Sequence, residues 1–154
     1  MSDPGFEARD SAIAGLGLFA TRSFTRGERI APYQGRTTTT LPSHHDATHQ
    51  VYALEIIPGV WLDGSPTTNP GRYANHSCAP NAELIWESQS AEAWIVAADP
   101  IQAGQEVTFD YGFSLAESLF HPCRCRAAEC VGRIIAAPLR PQLRRHLRFS
   151  RPRD

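Results

Sequence analysis

Residues 121 to 133 read HPCRCRAAECVGR, which sets Cys123, Cys125 and Cys130 within one short, turn-like stretch. Thiolates packed this closely are the usual ligands of a structural zinc ion, which takes four donors in a tetrahedron. The chain contains four cysteines, and the fourth, Cys78, lies far upstream in GRYANHSCAPN. If Cys78 completes the set, a metal fastens the C-terminal strip across the middle of the domain. Two alternatives stay open on the residues alone: buried, unconnected thiols, or a disulfide. Against the second, cysteines so near in sequence rarely bring their sulfurs together without strain.

Other groups with chemical potential lie in short runs. GLGLFA, Gly15 to Ala20, offers two glycines where a backbone can approach a ligand closely or simply turn. NHSC presents an Asn–His pair, and EVTFDYGF a tyrosine, Tyr111, at the end of an apolar run. His44, His45 and His49 could ligate metal in principle. They lack HExxH spacing and a neighbouring carboxylate pattern, so the expectation is a solvated loop.

The elements that must position these groups are short. RIAPY, VYALEII, AELIW, AWIVAA and EVTFDY are rich in β-branched and aromatic residues and are separated by glycine-bearing turns, so they read as strands. Helical periodicity is limited to Ser114 to Phe120 and Arg140 to Phe149. The fold class is therefore mostly β. Thr37 to Pro70 is the least regular segment, and its first part, TTTTLPSHHDATHQ, is too polar for a core, which suggests a surface insertion.

A chain of 154 residues with 42% hydrophobic and 20% charged residues fits one globular domain. No apolar run approaches the length of a membrane span, and the polar N-terminus, MSDPGFEARD, is not a secretory signal. These features favour a reducing, intracellular setting, cytoplasmic, nuclear or nucleoid, in which clustered cysteines bind metal more often than they pair. The formal net charge of -1 conceals an asymmetry: LRPQLRRHLRFSRPRD carries six arginines against one acid. Such a tail can touch phosphates or an acidic partner, or can be a solvated helix with a frayed end. The chain contains no lysine.

RYANHSC closely resembles the RFINHSC signature of SET-domain protein lysine methyltransferases. Three further segments resemble that family's motifs in the expected order. They are GLGLFA ahead of RGERI, EVTFDYGF, and CRCRAAECVG, which is similar to the post-SET CxCxxxxC motif. The resemblance runs from about Gly15 to Ile134. It implies a fold of small, curved β-sheets, β-clip-like, in which the NHSC and TFDY segments form a knot-like arrangement. It further implies a SET domain over 15–120 with a variable insertion at 37–70, preceded by an N-terminal segment, 1–14. A post-SET zinc strip over 121–135 and an Arg-rich tail over 136–154 would follow.

The same resemblance implies S-adenosylmethionine as methyl donor and a protein lysine as acceptor, with a structural zinc ion on Cys78, Cys123, Cys125 and Cys130. Gly15, Leu16, Gly17, Tyr52, Arg72, Asn75, His76 and Tyr111 match cofactor-binding positions. Tyr111 matches the catalytic tyrosine, and Tyr33 and Phe109 match a substrate channel. Phe109 sits where Phe or Tyr tunes the number of methyls added, and phenylalanine there favours di- or trimethylation. Asp110 is expected to satisfy local partners and not to act as a base.

The chain departs from the family pattern at Pro32 and Arg36, where glutamates are common, and at Arg126, where glycine usually follows CxC. No cysteine-rich stretch occupies residues 1–14. Substrate recognition would fall to the 37–70 segment, the post-SET strip and the arginine tail, with a histone or other basic protein as the expected class. Three other readings are a SET-like binding module without turnover, a methyltransferase for small amines, and nucleic-acid binding through the tail.

Overall fold

The computed structural model describes residues 2–40 and 52–150, and His44, His45 and His49 lie outside the described residues. Its strands are β1 (Phe6–Asp10), β2 (Leu16–Ala20), β3 (Arg29–Tyr33), β4 (Arg36–Thr38) and β5 (Ala53–Ile57), followed by β6 (Val60–Asp63), β7 (Asn75–His76), β8 (Ala82–Glu87), β9 (Glu92–Ala97) and β10 (Glu106–Phe109). Two helices follow, α1 (Leu115–Ser118) and α2 (Arg140–Phe149). The strands form three small sheets, ordered β1-β2-β10-β7, β3-β9-β8 and β4-β6-β5.

Two of these sheets carry the candidate motifs. In the first, β2 runs antiparallel to β10, with Leu18 opposite Val107, and β7 runs parallel to β10, with Asn75 opposite Thr108 and His76 opposite Phe109. The NHSC and TFDY segments are therefore hydrogen-bonded neighbours, with GLGLFA on the other side of β10. The second sheet holds Tyr33, at the end of β3, opposite Ala93. Pro32 is tolerated in β3 because that strand is an edge, where one missing N–H costs no ladder bond.

The core lies between the sheets, built on Leu18, Phe24, Ile95, Ile101, Val107 and Phe109, all essentially solvent-free. The described parts of segment 37–70, residues 37–40 and 52–70, are more regular than their composition suggests. Together with Arg36 they supply the third sheet, in which Leu62 of β6 and Leu54 of β5 are buried. Both predicted helices form. Ser114 and Glu117 make reciprocal capping bonds at the start of α1, and α2 buries Leu143.

One buried polar residue shapes the approach to β7. Asn69 is fully buried, and its Oδ1 accepts the N–H groups of Gln34 (2.8 Å) and Gly71 (3.1 Å) while its Nδ2 donates to the Gly64 carbonyl (3.0 Å). Three backbone groups that would otherwise be buried without partners are satisfied by one side chain. The result is a tight 3-10 turn, Pro70–Tyr73, that delivers Arg72 and then Asn75 to the site.

Candidate active site

A cavity of about 610 Å³ lies against the first sheet, and Gly15, Leu16, Tyr52, Arg72, Asn75, His76 and Tyr111 all line it. Cys123 and Arg124 of the cysteine strip and Ile134 close another side. The volume falls within the range of sites for small molecules and cofactors. Arg72 is held from two directions: its Nη1 donates to the Ser65 carbonyl at 2.6 Å, and its guanidinium stacks over Tyr52, 4.2 Å from the ring centre.

Gly17, Tyr33 and Phe109 are not on the wall of this cavity. Gly17 pairs with Arg9 of β1, and its missing side chain makes room for a carboxylate: a Cβ there would stand 2.3 Å from Glu106 Oε1. The close approach that this glycine permits in the structure is that of Glu106. Gly15, by contrast, lines the cavity with a φ of +46°, a left-handed conformation that glycine adopts at little cost. Tyr33 is buried, donates its hydroxyl to the Tyr52 carbonyl at 2.7 Å and borders a second hollow of about 390 Å³ with Pro32, Trp86 and Trp94.

Phe109 lies between the two tyrosines, its ring centre 6.3 Å from that of Tyr33 and 5.0 Å from that of Tyr111. Phe113 extends the row, 5.6 Å beyond Tyr111. Tyr111 donates its hydroxyl to the Ala74 carbonyl at 2.9 Å, and burial holds its pKa well above the ordinary phenol value. The hydroxyl therefore stays protonated, and its lone pairs remain available as acceptors.

His76 is buried, and that burial lowers its pKa to about 4 against the opposing pull of Asp110. The neutral ring has a defined tautomer: Nδ1 accepts the backbone N–H of Tyr111 at 3.2 Å, so the proton sits on Nε2, 3.7 Å from Cys78 Sγ. Asp110 spends both oxygens on backbone, accepting from Gly112 and Ala137 at 2.9 Å each.

The side chain of Asn75 is surrounded by acceptors. Its Nδ2 lies 2.8 Å from Glu106 Oε1, 3.1 Å from the Ala14 carbonyl, and 3.2 Å from both the Leu16 carbonyl and Ser11 Oγ. Ser11 donates to the same carboxylate oxygen at 2.7 Å.

The sulfurs of Cys78, Cys123, Cys125 and Cys130 lie within 4.8 Å of one another, and none is in a disulfide. A tetrahedron with zinc–sulfur bonds of about 2.3 Å has edges of about 3.8 Å, and the Cys78–Cys123 separation is 3.9 Å. Burial pushes Cys78 up to about 11 and Cys123 higher still. Burial also pushes Cys125 upward, but the N–H groups of Cys78 and Ala127 and the neighbouring thiols outweigh it and bring this thiol down to about 6. Thiols held protonated by burial are released by a dication at their centre, so the donor set fits zinc. Arg140 reinforces the arrangement from outside, its Nη2 donating to the Cys78 carbonyl at 2.7 Å.

Ser11, Asn69, Glu106 and Arg140 were not apparent as site residues from the sequence. Only Glu106 carried a usable signal, an acid opening an otherwise apolar strand. Ser11 meets Asn75 across 64 residues and Arg140 meets Cys78 across 62, while Asn69 both caps a turn and reaches Gln34, 35 residues away.

The family profile described as SET domain matches residues 15–112. Histone-lysine N-methyltransferase ash1 of Drosophila melanogaster is 32% identical over 139 residues, which cover 84% of this chain and 6% of that protein. Histone-lysine N-methyltransferase, H3 lysine-36 specific, of Yarrowia lipolytica is 30% identical over 135 residues, 77% of this chain and 16% of the relative. The chain thus spans a small fraction of these relatives' length. Among solved structures, KRYPTONITE in complex with mCHG DNA and SAH superposes with a TM-score of 0.67 at 28% identity, over 84% of this chain and 28% of that one. Its complex with mCHH DNA, an H3(1-15) peptide and SAH gives a TM-score of 0.66.

Proposed function

The chain belongs to the SET-domain family, and from that premise we propose that it transfers methyl groups from S-adenosylmethionine to the side-chain amine of a protein lysine. The observation that carries the reading is the placement of Tyr111. Its buried, protonated hydroxyl is fixed by Ala74 beside a cavity that Asn75, His76 and Arg72 share. SAH in the KRYPTONITE complexes and the names of the relatives point the same way.

In this reading Gly15, Leu16, Tyr52, Arg72, Asn75 and His76 hold the donor, and the four cysteines hold zinc. S-adenosylmethionine supplies an electrophilic methyl group on a sulfonium centre. A free lysine amine has a pKa of about 10.4 and must lose its proton to react. The row Tyr33, Phe109, Tyr111 and Phe113 desolvates that amine and so favours its neutral form. Because Tyr111 spends its own proton on Ala74, its oxygen can accept an N–H and hold the nitrogen lone pair in line. Burial keeps this phenol from serving as a base, so its contribution is orientation.

Phe109 brings no hydroxyl to the channel, which supports di- or trimethylation. A basic, lysine-bearing tail of histone type is the substrate class we favour, since the named relatives are histone-lysine methyltransferases and one KRYPTONITE complex holds an H3 peptide. On α2, Arg144, Arg145 and Arg148 are exposed and have no carboxylate partner among the described residues, a surface suited to an acidic partner such as nucleic-acid phosphates. No described helix is long and apolar enough to cross a membrane, and we place the protein inside the cell.

The test is transfer of a labelled methyl group to core histones, a lysate of the source organism and free polyamines. Wild type, Tyr111→Phe and Cys125→Ser are compared, with zinc measured on each. Label on protein lysine, lost in both variants while only Cys125→Ser loses zinc, supports the reading. Label on polyamines alone would replace it with small-amine methylation. Bound SAH and zinc without any labelled acceptor would favour a binding module.

A further inference from the structure

We propose that Glu106, together with Ser11, is a positioning residue that fixes the Asn75 carboxamide so that the cavity selects a ligand by its ammonium group. This inference rests on the reading of the cavity as the site of S-adenosylmethionine, whose α-amino end would be the group selected.

The argument starts from which end of the Asn75 amide is nitrogen. Every polar atom around one end is an acceptor or is committed to one: Glu106 Oε1, the carbonyls of Ala14 and Leu16, and Ser11 Oγ, which gives its own proton to Glu106. An amide oxygen in that position would face four other oxygens without a hydrogen between them, so the NH₂ must be there. The carbonyl end, Oδ1, is then left with no hydrogen-bond donor among the described residues, on a side chain that lines the cavity. An acceptor without a donor, at the edge of a cavity, suits a ligand that brings an N–H.

Glu106 is not itself on the cavity wall, so it acts through Asn75. It is the one charged member of the cluster around Nδ2, and a hydrogen bond to a carboxylate is roughly twice as strong as one between neutral groups. Ser11 ties the carboxylate in place and reaches Asn75 as well. Two other features serve this carboxylate. Gly17 has no side chain where a Cβ would come within 2.3 Å of Oε1, and Ser11 is held by its own loop, accepting the N–H of Ile13 at 2.9 Å. Residues 11 to 17, β7 and the first residue of β10 thus converge on the orientation of one amide.

The consequence is a specificity that the cavity wall alone does not display. With the carboxylate in place, Oδ1 faces the cavity and a ligand amino group gains a partner. Without it, the Ala14 and Leu16 carbonyls still favour the NH₂ end, but the strongest acceptor is gone, so amides turned by half a turn, which present a donor to the same group, become populated.

The experiment is calorimetric titration of zinc-loaded protein with two probes, S-adenosylhomocysteine and its analogue in which hydrogen replaces the α-amino group. Wild type should prefer the amino-bearing ligand by about tenfold or more. Glu106→Ala should lower that ratio several-fold while changing affinity for the deaminated analogue by less than about twofold. Ser11→Ala should reduce the ratio about threefold. Glu106→Gln keeps an oxygen that accepts from Ser11 and Asn75, so it should retain most of the preference. A Glu106→Ala protein that loses both ligands equally, or keeps the full preference, overturns the inference while leaving the cofactor reading intact. Wild type that binds neither probe overturns the cofactor reading and the inference with it. If Glu106→Ala fails to fold, the other two variants decide the matter: a Ser11→Ala protein that weakens both probes equally or neither, or a Glu106→Gln protein that loses the preference, would reject the relay.

Discussion

The backbone N–H of Tyr111 donates to Nδ1 of His76 at 3.2 Å, while the opposite nitrogen of the same ring lies 3.7 Å from Cys78 Sγ. One imidazole therefore touches both the segment just beyond β10 that carries the candidate catalytic tyrosine and the cysteine group. Their rings also meet edge to face, 5.4 Å between centres. Neutral histidine suits both contacts, because it accepts on one side and donates toward sulfur on the other.

His76→Ala should accordingly act at two places at once. It leaves the Tyr111 N–H without its acceptor, at a cost of about 1–3 kcal/mol, and removes the ring that packs against Tyr111. The expected outcome is a lower thermal midpoint for the zinc-loaded protein and a fall in methyl transfer. Unchanged stability and turnover would show the contact to be incidental.

Gly17→Ala should reproduce a defect at Glu106 although position 17 lies off the cavity wall. The new Cβ collides with Glu106 Oε1, so affinity for the amino-bearing cofactor product should fall about tenfold. Adding Glu106→Ala to Gly17→Ala should cost little more, since the two changes remove one interaction. A double variant whose losses simply add would separate the two residues.

Phe109→Tyr should lower the average number of methyls added. The ring is enclosed between Tyr33 and Tyr111, so a new hydroxyl would take space beside the amine and offer it a hydrogen bond. Mass spectrometry of the methylated substrate should show the product shifting toward the monomethyl form. An unchanged product distribution would remove Phe109 from the channel.

Arg126→Gly should stabilise the cysteine strip. Arg126 has a φ of +61°, a left-handed conformation that costs a side chain of this kind about 1 kcal/mol and costs glycine almost nothing. The variant should hold zinc more tightly against a chelator and should raise the unfolding temperature. A weaker strip would mean that the guanidinium makes a contact worth more than the strain.

The strands with β-branched and aromatic runs were legible in the sequence, and so was α2, whose boundaries match the arginine-bearing periodic segment. β2 was not, because GLGLFA reads as a glycine turn until pairing with β1 and β10 supplies its ladder. Within segment 37–70, VYALEII was legible as the strand β5, but β4 and β6 were not, because the polar threonines around β4 and the short VWLD run around Leu62 become ordered only when β6 sits between β4 and β5. Of the residues singled out in the motifs, Gly15, Leu16, Tyr52, Arg72, Asn75, His76 and Tyr111 come together on one cavity, whereas Gly17 and Phe109 lie behind its wall, a difference that depends on strand pairing and not on motif spacing. Asn69, Ser11 and Arg140 escaped because their roles are hydrogen bonds to backbone and side chains that no local pattern encodes.

The parallel pairing of β7 with β10 bears on how the protein is made. Asn75 meets Thr108 across 33 residues, and β2 must already be waiting to receive Val107 from the opposite side. The cavity wall then needs Cys123, Arg124 and Ile134 before it closes. Contacts of such long sequence separation form slowly, because loop closure precedes any reward. A nascent chain still on the ribosome would thus lack part of the cavity wall until residue 134 has emerged, so the cavity closes as one late event in the folding of this domain.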